Sequence, residues 1–318
     1  MTTTGTSGRP TRIAAALIAS AAAVSLAACG SSTKSGSNPL AAPSASAGGA
    51  ITVGSNNFPE SILLADIYGE ALKAKGLQVT YKPNIGSREV TYGLLKNGTL
   101  TVMPEYNGSL LAYLDKAAVP TSEQDTDTQL SAKLAPGLEL LNPSTAEDKD
   151  SLTINATTAS TYKLTADSSI ADLAPIADKL TLGAAPEFQT RQEGVLGLKS
   201  VYGLTFKGFK ALDAGGTLTE AALTKNDIQV GDIFTTDSTI SAQKWITLKD
   251  PKNLFGFQNV IPVAQKSALP QNGVDALNAV SAKLDTATLL DLDTKIGSKG
   301  ADPLAVADDW LKSVGLAS

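Results

Sequence analysis

From residue 50 onward, short apolar runs alternate with segments of helical periodicity. This alternation restricts the possible folds more than any other feature of the sequence. Residues 51–54 form an apolar run of strand length that ends at a Gly-Ser turn. Residues 61–75 place apolar side chains at helical spacing and end at Gly76, and residues 78–82 read as the next strand. Strands that alternate with helices in this way build a mostly parallel sheet covered by helices. The sequence therefore predicts an α/β fold.

The same alternation continues along the chain and indicates two α/β units. The further predictions are a helix over 90–96, a strand over 100–103 that ends at Pro104, a strand over 152–155, a helix near 170–179, a strand over 179–183, a helix over 194–202, strands near 205–209 and 228–234, and a helix near 219–223. We expect the helical segment 274–311 to pack back on the first unit. Two such units in one chain imply a cleft between them.

The 318 residues contain no histidine and one cysteine, which excludes several kinds of catalytic site. Without imidazole, the chain has no Ser-His-Asp or Cys-His relay and no zinc site built on histidine, and a lone sulfur closes no internal disulfide. The net charge of −5 argues against a nucleic-acid partner. No cofactor is indicated. Carboxylate, lysine, hydroxyl or binding chemistry remains.

The first residues have the pattern of a secretory leader. Arg9 and Arg12 precede an apolar run over 13–24, and small residues follow up to Cys29. The tetrad Leu-Ala-Ala-Cys resembles the bacterial lipobox, so we expect residues 1–28 to be removed and Cys29 to carry a lipid. The alternative is a structural cysteine in an uncleaved helix. Residues 29–49 are rich in Ser, Gly, Ala and Pro, which predicts a disordered tether.

Five short motifs after residue 50 resemble those of one protein family. They are Val-Gly-Ser-Asn-Asn-Phe-Pro-Glu at 53–60, Asn-Ile-Gly-Ser-Arg-Glu-Val at 84–90, Pro-Glu-Tyr-Asn-Gly at 104–108, Pro-Glu-Phe-Gln-Thr-Arg at 186–191 and Val-Tyr-Gly-Leu at 201–204. In this order they resemble the substrate-binding lipoproteins of ABC importers for osmoprotectants such as glycine betaine and choline, the ProX/OpuC type.

The resemblance implies a type II periplasmic-binding-protein fold, with a ligand cleft between two lobes. The first lobe would comprise residues 50–148 plus 251–318, and the second residues 149–250. Such a protein is a receptor and no enzyme: it captures a small molecule by lobe closure and delivers it to permease and ATPase subunits. The implied protein is an extracytoplasmic monomer, without metal, cofactor or nucleic acid, anchored by lipid to the outer face of the cytoplasmic membrane.

The resemblance also implies which residues bind the ligand. A quaternary ammonium group donates no hydrogen bond, so proteins surround it with aromatic faces, while a carboxylate calls for Arg, Lys or hydroxyl donors. Carried over motif by motif, Tyr106 is a cage tyrosine and Ser109 a hydroxyl donor. Asp150 contributes to the cation site, and Arg191 grips a carboxylate.

Four positions depart from the family pattern. Asn56 replaces the lysine that binds the ligand carboxylate, and Leu152, Phe234 and Gln258 stand where cage tyrosines are expected. A cation–π contact contributes roughly 0.5–2 kcal/mol, so binding of quaternary ammonium would weaken unless Phe257 turns inward. An alternative hypothesis is therefore the same receptor with specificity for a more polar, larger or less cationic solute.

Other interpretations remain open at the sequence level. Arg191 is also placed to form a surface ion pair with Glu187 or Glu193, and Asp150 to belong to a solvated run of charges. For the whole protein, one alternative is a lipid-anchored glycosidase with Glu60 and Glu105 as its acid–base pair. Another is a sensory or adhesion lipoprotein of the same fold.

Overall fold

The computed structural model describes residues 49–297 and 299–318, and two five-stranded sheets organise this part of the chain. The predicted leader, the predicted lipidation site Cys29 and nearly all of the predicted tether lie outside the described residues. None of the described helices is long and apolar enough to cross a membrane.

Strands and helices alternate along most of the described chain. The strands are β1 Ile51–Gly54, β2 Val79–Lys82, β3 Val102–Tyr106, β4 Leu138–Leu140, β5 Leu152–Ile154, β6 Thr181–Ala184, β7 Gly208–Ala211, β8 Val230–Asp232, β9 Ile246–Thr247 and β10 Val260–Gln265. The helices are α1 Pro59–Ala74, α2 Arg88–Lys96, α3 Asn107–Leu114, α4 Glu123–Lys133, α5 Ala156–Tyr162, α6 Val195–Tyr202, α7 Thr217–Thr224, α8 Ser238–Ala242, α9 Gln271–Ser281, α10 Thr286–Ile296 and α11 Pro303–Ser313. Short 3₁₀ turns span Ile170–Leu173, Ala177–Lys179 and Pro186–Gln189.

The first sheet has the strand order β2-β1-β3-β10-β4 and carries an apolar core on each face. Strands β2, β1 and β3 are parallel, while β10 is antiparallel to β3 and β4. Side chains alternate across a strand, so Val102 joins the core under α1 and α9–α11, whereas Met103 joins the core under α2–α4. The C-terminal helices therefore pack on the first unit, as the sequence predicts.

The second sheet repeats this layout with the strand order β7-β6-β8-β5-β9. Strands β7, β6 and β8 are parallel, and β5 is antiparallel to β8 and β9. The two chain segments that connect the sheets run side by side: Glu147 bridges to Asn259, and the Asp148 amide donates a hydrogen bond of 3.2 Å to the Gln258 carbonyl. The exact lobe limits stay a prediction.

Two predicted elements differ from the structure because of proline. The strand predicted to end at Pro104 continues to Tyr106, and Pro104 faces Pro262 of β10. Neither residue has an N–H, and both fit where an antiparallel pair exchanges no hydrogen bonds. The helix predicted near 170–179 is instead two 3₁₀ turns, since Pro175 interrupts the α-helical hydrogen bonds.

Helix α3 approaches the returning chain segment closely at Gly108, and this approach gives a test of the packing. A Cβ atom at Gly108 would stand 2.1 Å from the Phe257 carbonyl oxygen. We expect Gly108→Ala to lower the free energy of unfolding by about 1–3 kcal/mol, because one of two backbone segments must shift. Urea denaturation measures this change.

The matched control is Gly93→Ala in the exposed part of α2, where a Cβ would meet no atom within 4 Å. Alanine has the higher helix propensity, so this variant should gain up to about 1 kcal/mol. Equal effects of the two substitutions would contradict the close packing at Gly108.

Candidate functional site

A small cavity of about 40 Å³ lies between the two lobes, where parallel strands of both sheets end. Its lining includes Asn56 just beyond β1, Tyr106 at the end of β3, Arg191 beyond β6 and Phe234 beyond β8. Ligands of open α/β sheets bind outside the carboxyl ends of the strands. The cavity therefore lies where the fold is expected to hold a ligand. Hydrogen bonds from Thr236 to Glu60 and from Arg191 to Glu89 join the two lobes beside it, so the cleft is closed.

Six of the eight binding residues expected from the sequence line this cavity. They are Asn56, Tyr106, Ser109, Asp150, Arg191 and Phe234. Leu152 does not line it: the side chain is fully buried in the apolar core of the second sheet. Gln258 is also buried away from the lining, and Phe257 stacks under the Lys149 ammonium group at 5.8 Å.

Three aromatic side chains form one side of the cavity, and we call Phe58, Tyr106 and Phe234 the aromatic wall. The Phe58 ring centroid lies 5.0 Å from that of Phe234 and 6.1 Å from that of Tyr106. Phe58 follows directly from the turn after β1, because Pro59 starts α1 and fixes the preceding residue in an extended conformation. Sequence reasoning missed Phe58 as a binding residue, although it belongs to the first motif.

Buried carboxyl groups lie directly behind the aromatic wall. The Tyr106 hydroxyl donates to Glu60 Oε1, and the Thr236 hydroxyl donates to Glu60 Oε2 over 2.7 Å. Burial raises the pKa of Glu60 well above its usual value, and the negative charge of Asp293 raises it further. Burial also raises the pKa of Asp293 to about 7. This pair therefore tends to hold a proton near neutral pH.

A second group of carboxyls borders the cavity at the chain crossing. Asp148 accepts hydrogen bonds from the Thr235 hydroxyl at 3.2 Å and the Thr236 amide at 3.1 Å. Burial raises the pKa of Asp148 and that of Asp150. Asp232, beside Asp150, also has a raised pKa, through burial and then the negative charge of Asp150. Asp150 is thus a half-buried member of a cluster with the buried Asp148 and Asp232, and not part of a solvated run.

Both guanidinium groups of the cavity are already paired with glutamates. Arg88 donates from Nε to the two Glu105 carboxylate oxygens at 3.1 and 3.0 Å, and both side chains are buried. Arg191 donates from Nε and Nη2 to the two Glu89 oxygens at 3.1 and 3.0 Å. Glu187 lies 3.9 Å from Arg191. Of the two partners anticipated from the sequence, Glu187 lies near Arg191, whereas Glu193 hydrogen-bonds Gln258 instead. Sequence reasoning missed the role of Arg88 and of Glu89.

Gln258 connects the two lobes behind the cavity. Its Oε1 accepts from the Ser109 amide at 3.0 Å, and its Nε2 donates to Glu193 Oε1 at 2.8 Å. The Ser109 side chain also hydrogen-bonds Glu193, whose pKa burial raises to about 7. Gln258 therefore supports the closed arrangement from behind and forms no part of an aromatic cage.

The arrangement supports binding of a cation more directly than catalysis. Aromatic faces and carboxyl groups share one cavity, while Glu105, proposed as one of two catalytic carboxyls, is held by Arg88 and lies outside the lining. Among residues 49–297 and 299–318, no group of acidic side chains is arranged to hold a metal ion. Two α/β lobes with such a cavity between them define the type II periplasmic-binding-protein fold.

Comparison with known proteins gives the family. Residues 49–313 match the family model described as the substrate binding domain of ABC-type glycine betaine transport systems, OpuAC. The chain belongs to this family. It is therefore an extracytoplasmic substrate-binding protein of ABC-type transport and not an enzyme, so the glycosidase hypothesis is not supported.

Individual relatives agree with this assignment. The chain is 28% identical over 279 residues to the glycine betaine-binding protein YehZ of Escherichia coli, covering 83% of this chain and 90% of that protein. It is 26% identical over 275 residues to a glycine-betaine-binding protein of Pseudomonas aeruginosa, covering 82% and 87%. A crystal structure of a glycine betaine/carnitine/choline ABC transporter protein superposes with a TM-score of 0.65 at 22% identity, covering 84% of this chain and 99% of that one. The predicted family and fold class are confirmed.

The buried carboxyls predict how stability depends on pH. The pKa of Glu193 and that of Asp293 are raised to about 7, so the folded protein holds protons that the unfolded chain has released. The free energy of unfolding therefore falls as pH rises from about 5 to about 7, between the ordinary carboxyl pKa and the raised one. Glu89 acts oppositely, but its pKa of about 2 places that effect below this window. Denaturation of the ligand-free protein at several pH values measures the slope.

The variant Asp293→Asn should flatten this slope, by up to about 1.4 kcal/mol per pH unit for the proton it removes. Asp309→Asn, an exposed acid in α11, serves as the control and should leave the slope unchanged. A free energy of unfolding that rises from pH 5 to 7 in the native protein would contradict the raised pKa values.

Proposed function

We propose that this protein captures a small quaternary ammonium osmoprotectant of the glycine betaine or choline kind and closes its two lobes over it. The bound solute is then delivered to the permease and ATPase subunits of an importer. We further propose that the protein is a monomer, tethered through residues 29–49 to a lipid on Cys29 at the outer face of the cytoplasmic membrane.

The observation that carries this proposal is the aromatic wall beside Asp148 and Asp150. A quaternary ammonium group has a positive charge but no N–H, so aromatic faces attract it without leaving a buried donor unpaired. The nearby carboxyl groups add long-range attraction in a site that closure shields from water. A solute without a cationic group gains no cation–π attraction from this combination.

The aromatic wall also bears on the alternative of changed specificity. The sequence suggested a cage reduced to two aromatics, but Phe58 joins Tyr106 and Phe234 at the cavity. Three cation–π contacts of roughly 0.5–2 kcal/mol each suffice for a specific cation site. The glycine betaine-binding relatives likewise favour an osmoprotectant over a less cationic solute.

A substitution in the aromatic wall tests the proposal. We expect the native protein to bind choline or glycine betaine with one ligand per chain in isothermal titration calorimetry. Phe58→Ala should weaken that binding by about tenfold, because it removes one cation–π face and loosens the packing of Phe234. Small-angle scattering should show a more compact protein with ligand than without.

The control is Tyr113→Ala. Tyr113 is partly exposed, contacts Tyr92 at a centroid distance of 5.7 Å and does not line the central cavity, so its removal should leave affinity within about twofold. Failure of both quaternary ammonium compounds to bind, with the protein folded, would refute the proposed ligand class.

A further inference from the structure

Glu89 withdraws Arg191 from the ligand, and we propose that the cleft therefore favours a quaternary ammonium cation without a carboxylate over a zwitterion. This inference rests on the proposed function and narrows its ligand class. Among the two reference compounds, choline represents the cation and glycine betaine the zwitterion. Glu89 is the residue that sets this preference, although it does not itself line the central cavity.

The geometry of Arg191 carries the first step. Its guanidinium group meets Glu89 through two parallel N–H···O bonds of 3.0 and 3.1 Å, the bidentate form that uses the planar edge of the group. The Oε1 atom of Glu187 also lies 3.9 Å from Nη2 of Arg191. A ligand carboxylate would have to displace Glu89 from this edge while entering the field of a second glutamate.

Arg88 offers a ligand carboxylate no better partner. Three N···O contacts of 2.9 to 3.1 Å bind it to Glu105, and Glu105 is fully buried. Breaking this pair would leave a buried carboxylate without its partner, which is strongly destabilising. Asn56 supplies no positive charge at the third position, and its Oδ1 already accepts from the Thr91 hydroxyl at 2.8 Å.

The charged groups around the cavity also leave no free positive charge for a ligand carboxylate. The lining and its direct ion-pair partners contribute two guanidinium groups and five carboxyl groups, and no lysine lies among the lining residues. Asp148 and Asp150 have raised pKa values, yet even with both protonated each arginine keeps a glutamate. The glutamate pairing Arg191 has its pKa lowered to about 2 and stays ionised.

A zwitterion and a cation respond differently to such a cavity. Both place a quaternary ammonium group against the aromatic wall, but only the zwitterion must also bury a carboxylate. A carboxylate buried without a free positive partner loses its hydration and finds only neutral donors, such as the hydroxyl groups of Ser87 and Ser109, in place of an ion pair. The hydroxyl of choline can instead donate to one of the carboxylates. The preference for choline over glycine betaine thus depends on the carboxylate of glycine betaine.

The test compares the full folded chain with Glu89→Gln by calorimetric titration of choline and of glycine betaine. The ratio of the two dissociation constants is the readout, since the loss of an interlobe contact should affect closure equally for both compounds. We expect the native protein to bind choline at least about tenfold more tightly. In Glu89→Gln, the freed Arg191 should shift the ratio toward glycine betaine by about tenfold.

Glu123→Gln removes the same charge from the exposed first turn of α4 and should leave the ratio unchanged. Thermal unfolding verifies that each variant is folded. Native binding of glycine betaine as tight as that of choline, or an unchanged ratio in Glu89→Gln, would overturn the inference while the proposed function stands. Binding of neither compound would overturn both.

Discussion

The interlobe cleft holds more carboxyl groups than positively charged groups, and the contacts of the site follow from this excess of acidic side chains. A buried carboxylate is stable only when it is hydrogen-bonded, paired or protonated. The structure uses all three means: Thr236 and Tyr106 donate to Glu60, Arg88 pairs with Glu105, and burial raises the pKa values of Asp148 and Asp232, which favours their protonated forms. A bound cationic ligand is a fourth means of stabilising these carboxylates.

The same contacts explain why the cavity forms where the lobes meet. Thr236 follows β8 of the second sheet but donates to Glu60 at the start of α1, and Glu193 reaches Gln258 across the cleft. Arg191 and Glu89 form a third contact of this kind. Each joins residues of the two lobes, so the wall of aromatics and carboxyls is complete only in the closed state. Lobe closure and ligand binding therefore stabilise each other.

The alternation of strands and helices made the fold class predictable, and five motifs made the family predictable. The limits of this reasoning are physical. Strand β5 is buried on both faces, so its pattern does not reveal that Leu152 points into the core. Arg88 and Glu105 belong to different motifs, and nothing in either motif shows that they pair. Glu89 lies one residue beyond Arg88, yet its partner is 102 positions away.

Positions of single residues within a motif were easier to place than their roles. Asn56, Tyr106 and Ser109 reach the cavity because the strand ends that carry them are fixed by the parallel sheet. The cage implied by the family consists of tyrosines, so this pattern does not include Phe58. Gln258 lies at the chain crossing but does not line the ligand cavity as the sequence predicts. Its side-chain amide instead donates a hydrogen bond to Glu193 of the opposite lobe.

The most direct test of the account is a crystal structure with choline bound. We expect the ammonium nitrogen within about 6 Å of the ring centroids of Phe58, Tyr106 and Phe234, with Arg191 still paired with Glu89 and Arg88 still paired with Glu105. An ammonium group bound away from these rings, or an Arg191 side chain turned from Glu89 to the ligand, would contradict it.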